Sequence, residues 1–149
     1  MNDLFAYDAL SIEDRIGLTA LCMEYCWRID FGHAQMVTAL FTDDCVWERV
    51  ASDSVGGKFV GKAQLAEYWN RRAGMTVLTR HMISNLRFLK STETSARGWV
   101  TFATYVAEQG EVRSPTPKRV AQSIDTYEKS HDGRWRFKTR TLEITFGEP

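Results

Sequence analysis

The chain has 149 residues, 44% apolar, 26% charged and 12% aromatic, with 19 basic and 19 acidic side chains. That length suits one domain, 1–149, and balanced charge removes the long-range attraction that a nucleic-acid or anionic-membrane partner would need. No apolar run spans a bilayer, residues 1–10 lack a basic n-region, and three cysteines are an odd number, so a soluble cytoplasmic protein without disulfides is expected.

Ser11 and Asp14 form a weak capping box, with Glu13 and Asp14 suited to a positive first turn. Ile12, Ile16, Ala20, Met23 and Trp27 follow at helical spacing, and Leu18, Leu21, Cys22, Tyr25 and Ile29 widen the stripe. So wide a stripe predicts a helix with two buried sides. Phe31-Gly32 ends it, and a short second helix is expected from His33 to about Phe41. Thr42-Asp43-Asp44 reads as a turn, and Cys45-Val46-Trp47 as a short strand. Gly56-Gly57 reads as a turn, Lys58-Phe59-Val60 as extended chain, and Gly61 opens a third helix carrying Leu65, Tyr68, Trp69 and Arg72 on one side.

From Val77 onward the chain is β-branched and aromatic, with runs at about 78–90, 94–108, 118–130 and 134–146. The Asp132-Gly133 pair marks a hairpin. Helices followed by a long antiparallel meander predict an α+β fold, with helices packed in a strongly curved sheet that closes into a cone. The open end of such a cone can hold a ligand.

Of the three histidines, His131 falls in the hairpin turn and His33 in the first turn of the short helix. His81 lies early in an extended run, where alternation puts it on one face with Ile83 and Asn85 unless a bulge shifts the phase. It is either a core histidine held by a carbonyl or a base. Asp30 ends the first helix, on the unfavourable side of the dipole, and needs a compensating donor or water. An imidazole would serve, and its free nitrogen would then be a base. Tyr25, roughly 140° from Asp30 round a regular helix, is a core tyrosine or a donor to a ligand oxygen. Trp47, Trp69, Trp99 and Trp135 cannot all be surface residues, and some would wall a pocket for a flat apolar ligand.

Other chemistries find less support. Cys22, Cys26 and Cys45 lack metal-ligand spacing, and Ser54 to Lys58 lacks the glycine pattern of a phosphate loop. No nucleophile elbow is present, and Arg71-Arg72 and Arg134 to Arg136 read as solvated faces rather than anion sites.

Tyr25 with Arg28-Ile29-Asp30, the stretch Ala39 to Trp47, Gly61 to Trp69, Thr79 to Asn85, Tyr127 and Asp132 to Phe137 together resemble SnoaL-like proteins of the nuclear-transport-factor-2-like superfamily. The resemblance covers nearly the whole chain and is nearest to scytalone dehydratase, bile acid dehydratases and a dehydrochlorinase. It implies a cone-shaped α+β barrel, a pocket without cofactor or metal, and an Asp–His dyad at Asp30 and His81 with Tyr25 beside it. Trp99 to Tyr105 carries neither the second histidine nor the acid found in some dehydratases.

These readings converge on a dehydratase-like lyase in which His81 takes a carbon-bound proton, Asp30 stabilises the imidazolium and Tyr25 binds an oxygen. Trp47, Trp69, Ile83 and Asn85 would contact a small cyclic or hydrophobic ligand. An isomerase or cyclase with the same base, or a non-catalytic binding or assembly domain, are the alternatives. The long strands carry apolar residues of both parities, Trp99 and Tyr105 against Phe102 and Val106. One set must meet water or a partner, and the resembled family forms dimers or trimers, so a homodimer or homotrimer is expected.

Overall fold

A computed structural model describes residues 9–51, 54–108 and 115–147. The first helix, α1, runs Ile12–Asp30, and the Ser11 hydroxyl accepts the Asp14 backbone N–H at 3.0 Å. Leu18, Leu21, Cys22, Tyr25, Cys26 and Ile29 form its buried side. The other apolar stripe is a correction to the expectation of two buried sides. Ile12, Ile16, Met23 and Trp27 are 73%, 64%, 56% and 48% exposed, because the sheet wraps only one side of the helix. The next segment, Ala34–Leu40, is a 3-10 helix rather than an α-helix.

Six strands follow, with α2 interposed: β1 Phe41–Ala51, β2 Ser54–Val60, α2 Gly61–Ala73, β3 Val77–Lys90, β4 Ser95–Glu108, β5 Arg119–Lys129 and β6 Trp135–Gly147. The four long strands lie within one residue of their predicted limits. Thr42-Asp43-Asp44 is not a turn but the start of β1, its exposed aspartates paired with Lys62 and Lys138. Gly56-Gly57 is likewise no turn. The pairing of β1 with β2 slips between Arg49 and Val50, opposite these glycines, and Gly57 takes φ 134°. A bulge needs that freedom as much as a turn does.

The sheet order is β2-β1-β6-β5-β4-β3, with β1 and β6 parallel and the other neighbours antiparallel. The architecture is α+β, as expected. Inner positions can be followed across the sheet in rows. One row runs Ile144–Ala121–Phe102–Ile83, and another runs Arg119–Thr104–His81. Phe102 is thus inside and Trp99 outside, where Arg97 lies 5.6 Å from its ring.

The core beneath α1 is aromatic, with Phe41, Tyr127 and Phe137 fully buried. Each such ring contributes roughly 1.5–3 kcal/mol by leaving water. In its midst Arg140 and Asp125 are both wholly buried and share two hydrogen bonds, at 3.0 and 2.9 Å. Arg140 also lies 4.2 Å from the Tyr25 ring centroid and 4.1 Å from that of Phe137. The bulge at Thr126/Tyr127 in the β5–β6 pairing turns Arg140 inward. Cys22, Cys26 and Cys45 are free and buried. Among the described residues no helix is long and apolar enough to cross a membrane.

Candidate functional site

Asp30 is the last residue of α1, and β3 passes beside it. His81 Nδ1 lies 2.6 Å from Asp30 Oδ1, and the His81 backbone N–H donates to Oδ2 at 2.7 Å. The Thr79 hydroxyl adds a bond to Oδ1 at 2.9 Å, and Arg80 donates to the Asp30 carbonyl at 2.8 Å. The helix-end acid therefore finds donors on the neighbouring strand, which offset its unfavourable place in the helix dipole. Its side chain is 6% exposed and that of His81 15%. Burial pushes the Asp30 carboxyl up, but the His81 ring and charge, its backbone N–H and Thr79 outweigh it and hold the pKa below the usual 3.8. An ionised carboxylate only accepts, so Nδ1 carries a proton and the neutral ring has its lone pair on Nε2.

His81 lines a cavity of about 720 Å³ at the open end of the sheet. That volume suits a small organic ligand. Tyr25, Trp47, Phe59, Tyr68 and Trp69 make one wall, interlocked edge-to-face and offset with centroids 4.7 to 6.1 Å apart. Thr79, Phe102, Thr104 and Val106 lie on the other side with His81. The Tyr25 hydroxyl accepts the Trp47 indole N–H at 3.1 Å, which leaves its own hydrogen for another acceptor. Burial pushes its pKa well up, against the Arg140 charge and the Trp47 bond, so the group stays protonated.

Of the residues singled out in the sequence, Tyr25, Trp47, Trp69 and His81 line one cavity, and Asp30 stands behind His81. Ile83 and Asn85 do not line it. Ile83 keeps His81's parity but packs deeper, against the core. Asn85 is exposed because the β3–β4 register breaks between Ser84 and Arg87, where Asn85 adopts φ 52°. Asparagine tolerates that conformation better than most residues. His131 is exposed, and His33 stacks on Trp27 at 5.1 Å.

Other residues at the cavity were not singled out in the sequence. Thr79 carried a signal, since it shares parity with His81. Phe102 and Thr104 also share a parity, but which parity faced inward was open. Arg71 and Arg72, read as a solvated face, line the cavity with Arg49 and Arg119. No group of three or more His, Cys, Asp or Glu among the described residues has the arrangement to hold a metal ion.

A bent sheet closed over a helix, with a pocket between them and a paired acid and imidazole at its wall, defines a small α+β cavity protein. The SnoaL-like domain model matches residues 10–141, and the chain belongs to that family. Comparison with curated proteins gives no match. Among solved structures, it is similar to a candidate scytalone dehydratase from Novosphingobium aromaticivorans, 23% identical over 91% of this chain and 86% of that one, TM-score 0.76. It is also similar to the β subunit of a candidate aromatic-ring-hydroxylating dioxygenase from the same organism, 15% identical over 91% of each chain, TM-score 0.80. A Catenulispora acidiphila protein in complex with S-DNPA is 15% identical over 90% of this chain and 95% of that one, TM-score 0.70. At these identities the likeness is one of fold.

Proposed function

We propose that the chain is a lyase of dehydratase type that needs no cofactor and acts on a small cyclic substrate. One observation carries this reading: the imidazole hydrogen-bonded to Asp30 at 2.6 Å lines an aromatic-walled cavity. His81 Nε2 takes a proton from carbon, the C–H electron pair becomes the new double bond, and the C–O bond of the adjacent carbon breaks, its electron pair leaving with the oxygen. Asp30 stabilises the imidazolium. The base supplies on the order of 10² to 10⁴ in rate. The inner positions of β4 near His81 are Phe102 and Thr104, neither an acid, so the leaving oxygen takes its proton from Tyr25 or water. An isomerase or cyclase would use the same base without a leaving group.

The test is a panel of hydroxylated cyclic compounds with wild type and His81→Ala. Turnover lost in the variant, with its thermal transition nearly unchanged, supports the lyase. A second reading, a binding or assembly domain without turnover, is favoured by the likeness to the dioxygenase β subunit. Saturable binding insensitive to His81→Ala, with no turnover, would establish it instead.

The same proposal includes self-association as a homodimer or homotrimer. Support comes from the exposed apolar residues of α1, Ile12, Ile16, Met23 and Trp27. Sedimentation equilibrium at micromolar concentration tests it, and a monomer mass would refute it.

A further inference from the structure

Four arginines, Arg49, Arg71, Arg72 and Arg119, line the cavity, and among the described residues no aspartate or glutamate does. The chain as a whole has equal numbers of basic and acidic residues, so this segregation is local. The arginines come from separate elements: β1, the last turn of α2 and the first residue of β5. Favourable interaction with the helix dipole would account for Arg71 and Arg72 in that last turn. It does not account for Arg49 and Arg119, which sit on strands and point the same sign of charge at the same space. Both also have partners within the protein, so the sign of the lining is the argument, not spare donors. Asp30, the acid behind His81, is engaged by three donors.

Arg119 has a defined relation to the base. It pairs with Thr104, which pairs with His81, so it stands two strands away, roughly 10 Å along an inner row. A ligand spanning that row presents one end to His81 and the other to Arg119. The buried indole N–H of Trp69, in the aromatic wall, is a second and independent pointer. It has no hydrogen-bond partner among the described residues, so it too is suited to a ligand acceptor.

We infer that the cavity takes an amphipathic anion: a flat or alicyclic apolar body against the aromatic wall, and a carboxylate or phosphate at the arginines. This rests on the proposed function and deepens it by naming the substrate class. The anion is an anchor remote from the reacting carbon, and it fixes which C–H faces His81.

Calorimetric titration of 2-naphthoate against the isosteric, neutral 2-naphthamide tests the inference. The probes are used with wild type, His81→Ala, Arg119→Gln and Arg71→Gln/Arg72→Gln. The expected result is a preference of about tenfold for the carboxylate, largely lost in either arginine variant and reduced in about 0.5 M salt. It should persist in His81→Ala. Arg71 is exposed and Arg72 half-buried, so the double variant should fold. Titrating 2-naphthyl phosphate alongside identifies which anion is preferred. Equal affinity for naphthoate and naphthamide, or equal weakening of both by the arginine changes, would overturn the inference. If His81-dependent turnover survives that outcome, the lyase reading stands without it. Anion preference without any turnover would uphold the inference and remove the lyase.

Discussion

Asp30 holds His81 at two points, one carboxylate oxygen 2.6 Å from ring Nδ1 and the other accepting the backbone N–H of the same residue at 2.7 Å. Ring orientation is thereby tied to strand position, since β3 cannot slip along the end of α1 without breaking both. Asp30→Asn keeps the shape but offers one accepting oxygen where two are needed. Turnover should fall about 10²-fold or more, with a stability loss of about 1–3 kcal/mol. Steady-state kinetics beside a thermal melt check this. Unchanged turnover would exclude the carboxylate from the chemistry.

The same acid makes stability depend on pH. Asp14 is also held below the usual 3.8, where burial is outweighed by Lys129, Trp135 and Ser11. A carboxyl whose folded pKa lies below its unfolded value stabilises the fold above the unfolded value. That contribution is lost as pH falls through the folded value. Urea midpoints should therefore hold down to about pH 5 and decline below 3.8, with a shallower decline in Asp30→Asn.

Tyr25→Phe removes a hydroxyl that accepts the Trp47 N–H at 3.1 Å and keeps the ring between Arg140 and the cavity. The buried indole N–H loses its partner, at a cost of about 1–3 kcal/mol. If the hydroxyl also binds the departing oxygen, kcat falls more than KM changes. A melt shift with intact kcat would make it a packing residue.

The elements of this fold were legible in the sequence where pattern alone decides them. The four long runs from Val77 onward lie within a residue of their predicted limits, and the Ser11 cap forms, whereas β1 and β2 each begin four residues earlier than expected. What escaped was decided by tertiary context. The α1 stripe of Ile12, Ile16 and Met23 has the same periodicity as the buried one, and only the extent of the sheet distinguishes them. Asn85 left the His81 face through a one-position irregularity that alternation cannot foresee. Arg71 and Arg72 look like any basic last turn until β1 and β5 bring two more arginines to the same space. Asp30 and His81, 51 positions apart, were each legible as needing a partner, but no local rule joins them.

Arg140 and Asp125 offer a test of the buried network. Asp125 also accepts from Ser123 and Tyr127, both at 2.9 Å. Asp125→Ala strands a wholly buried guanidinium and should cost about 3–5 kcal/mol. Arg140→Met combined with Asp125→Leu removes both charges and should cost less than the two single changes together. Chemical denaturation of the four proteins measures the coupling.

Gly98 sits where β4 crosses Phe88 and Tyr127. A methyl group there would meet the Arg87 carbonyl oxygen and Phe88 Cδ1, both at 2.7 Å. The carbonyl belongs to the paired strand, so it cannot move aside freely. Gly98→Ala should cost about 1–3 kcal/mol, read as a lowered midpoint in urea.

The buried thiols make the core its own reporter. Burial pushes Cys22 up to about 11 and Cys26 up to about 12, against the nearby Arg140 charge, and raises Cys45 as well. A thiol held so far from its reactive thiolate cannot be alkylated at neutral pH until the surrounding structure opens. Pulsed labelling with mass detection would therefore time the separation of α1 from the sheet at Cys22 and Cys26. Cys45, on β1, would time the release of that strand independently.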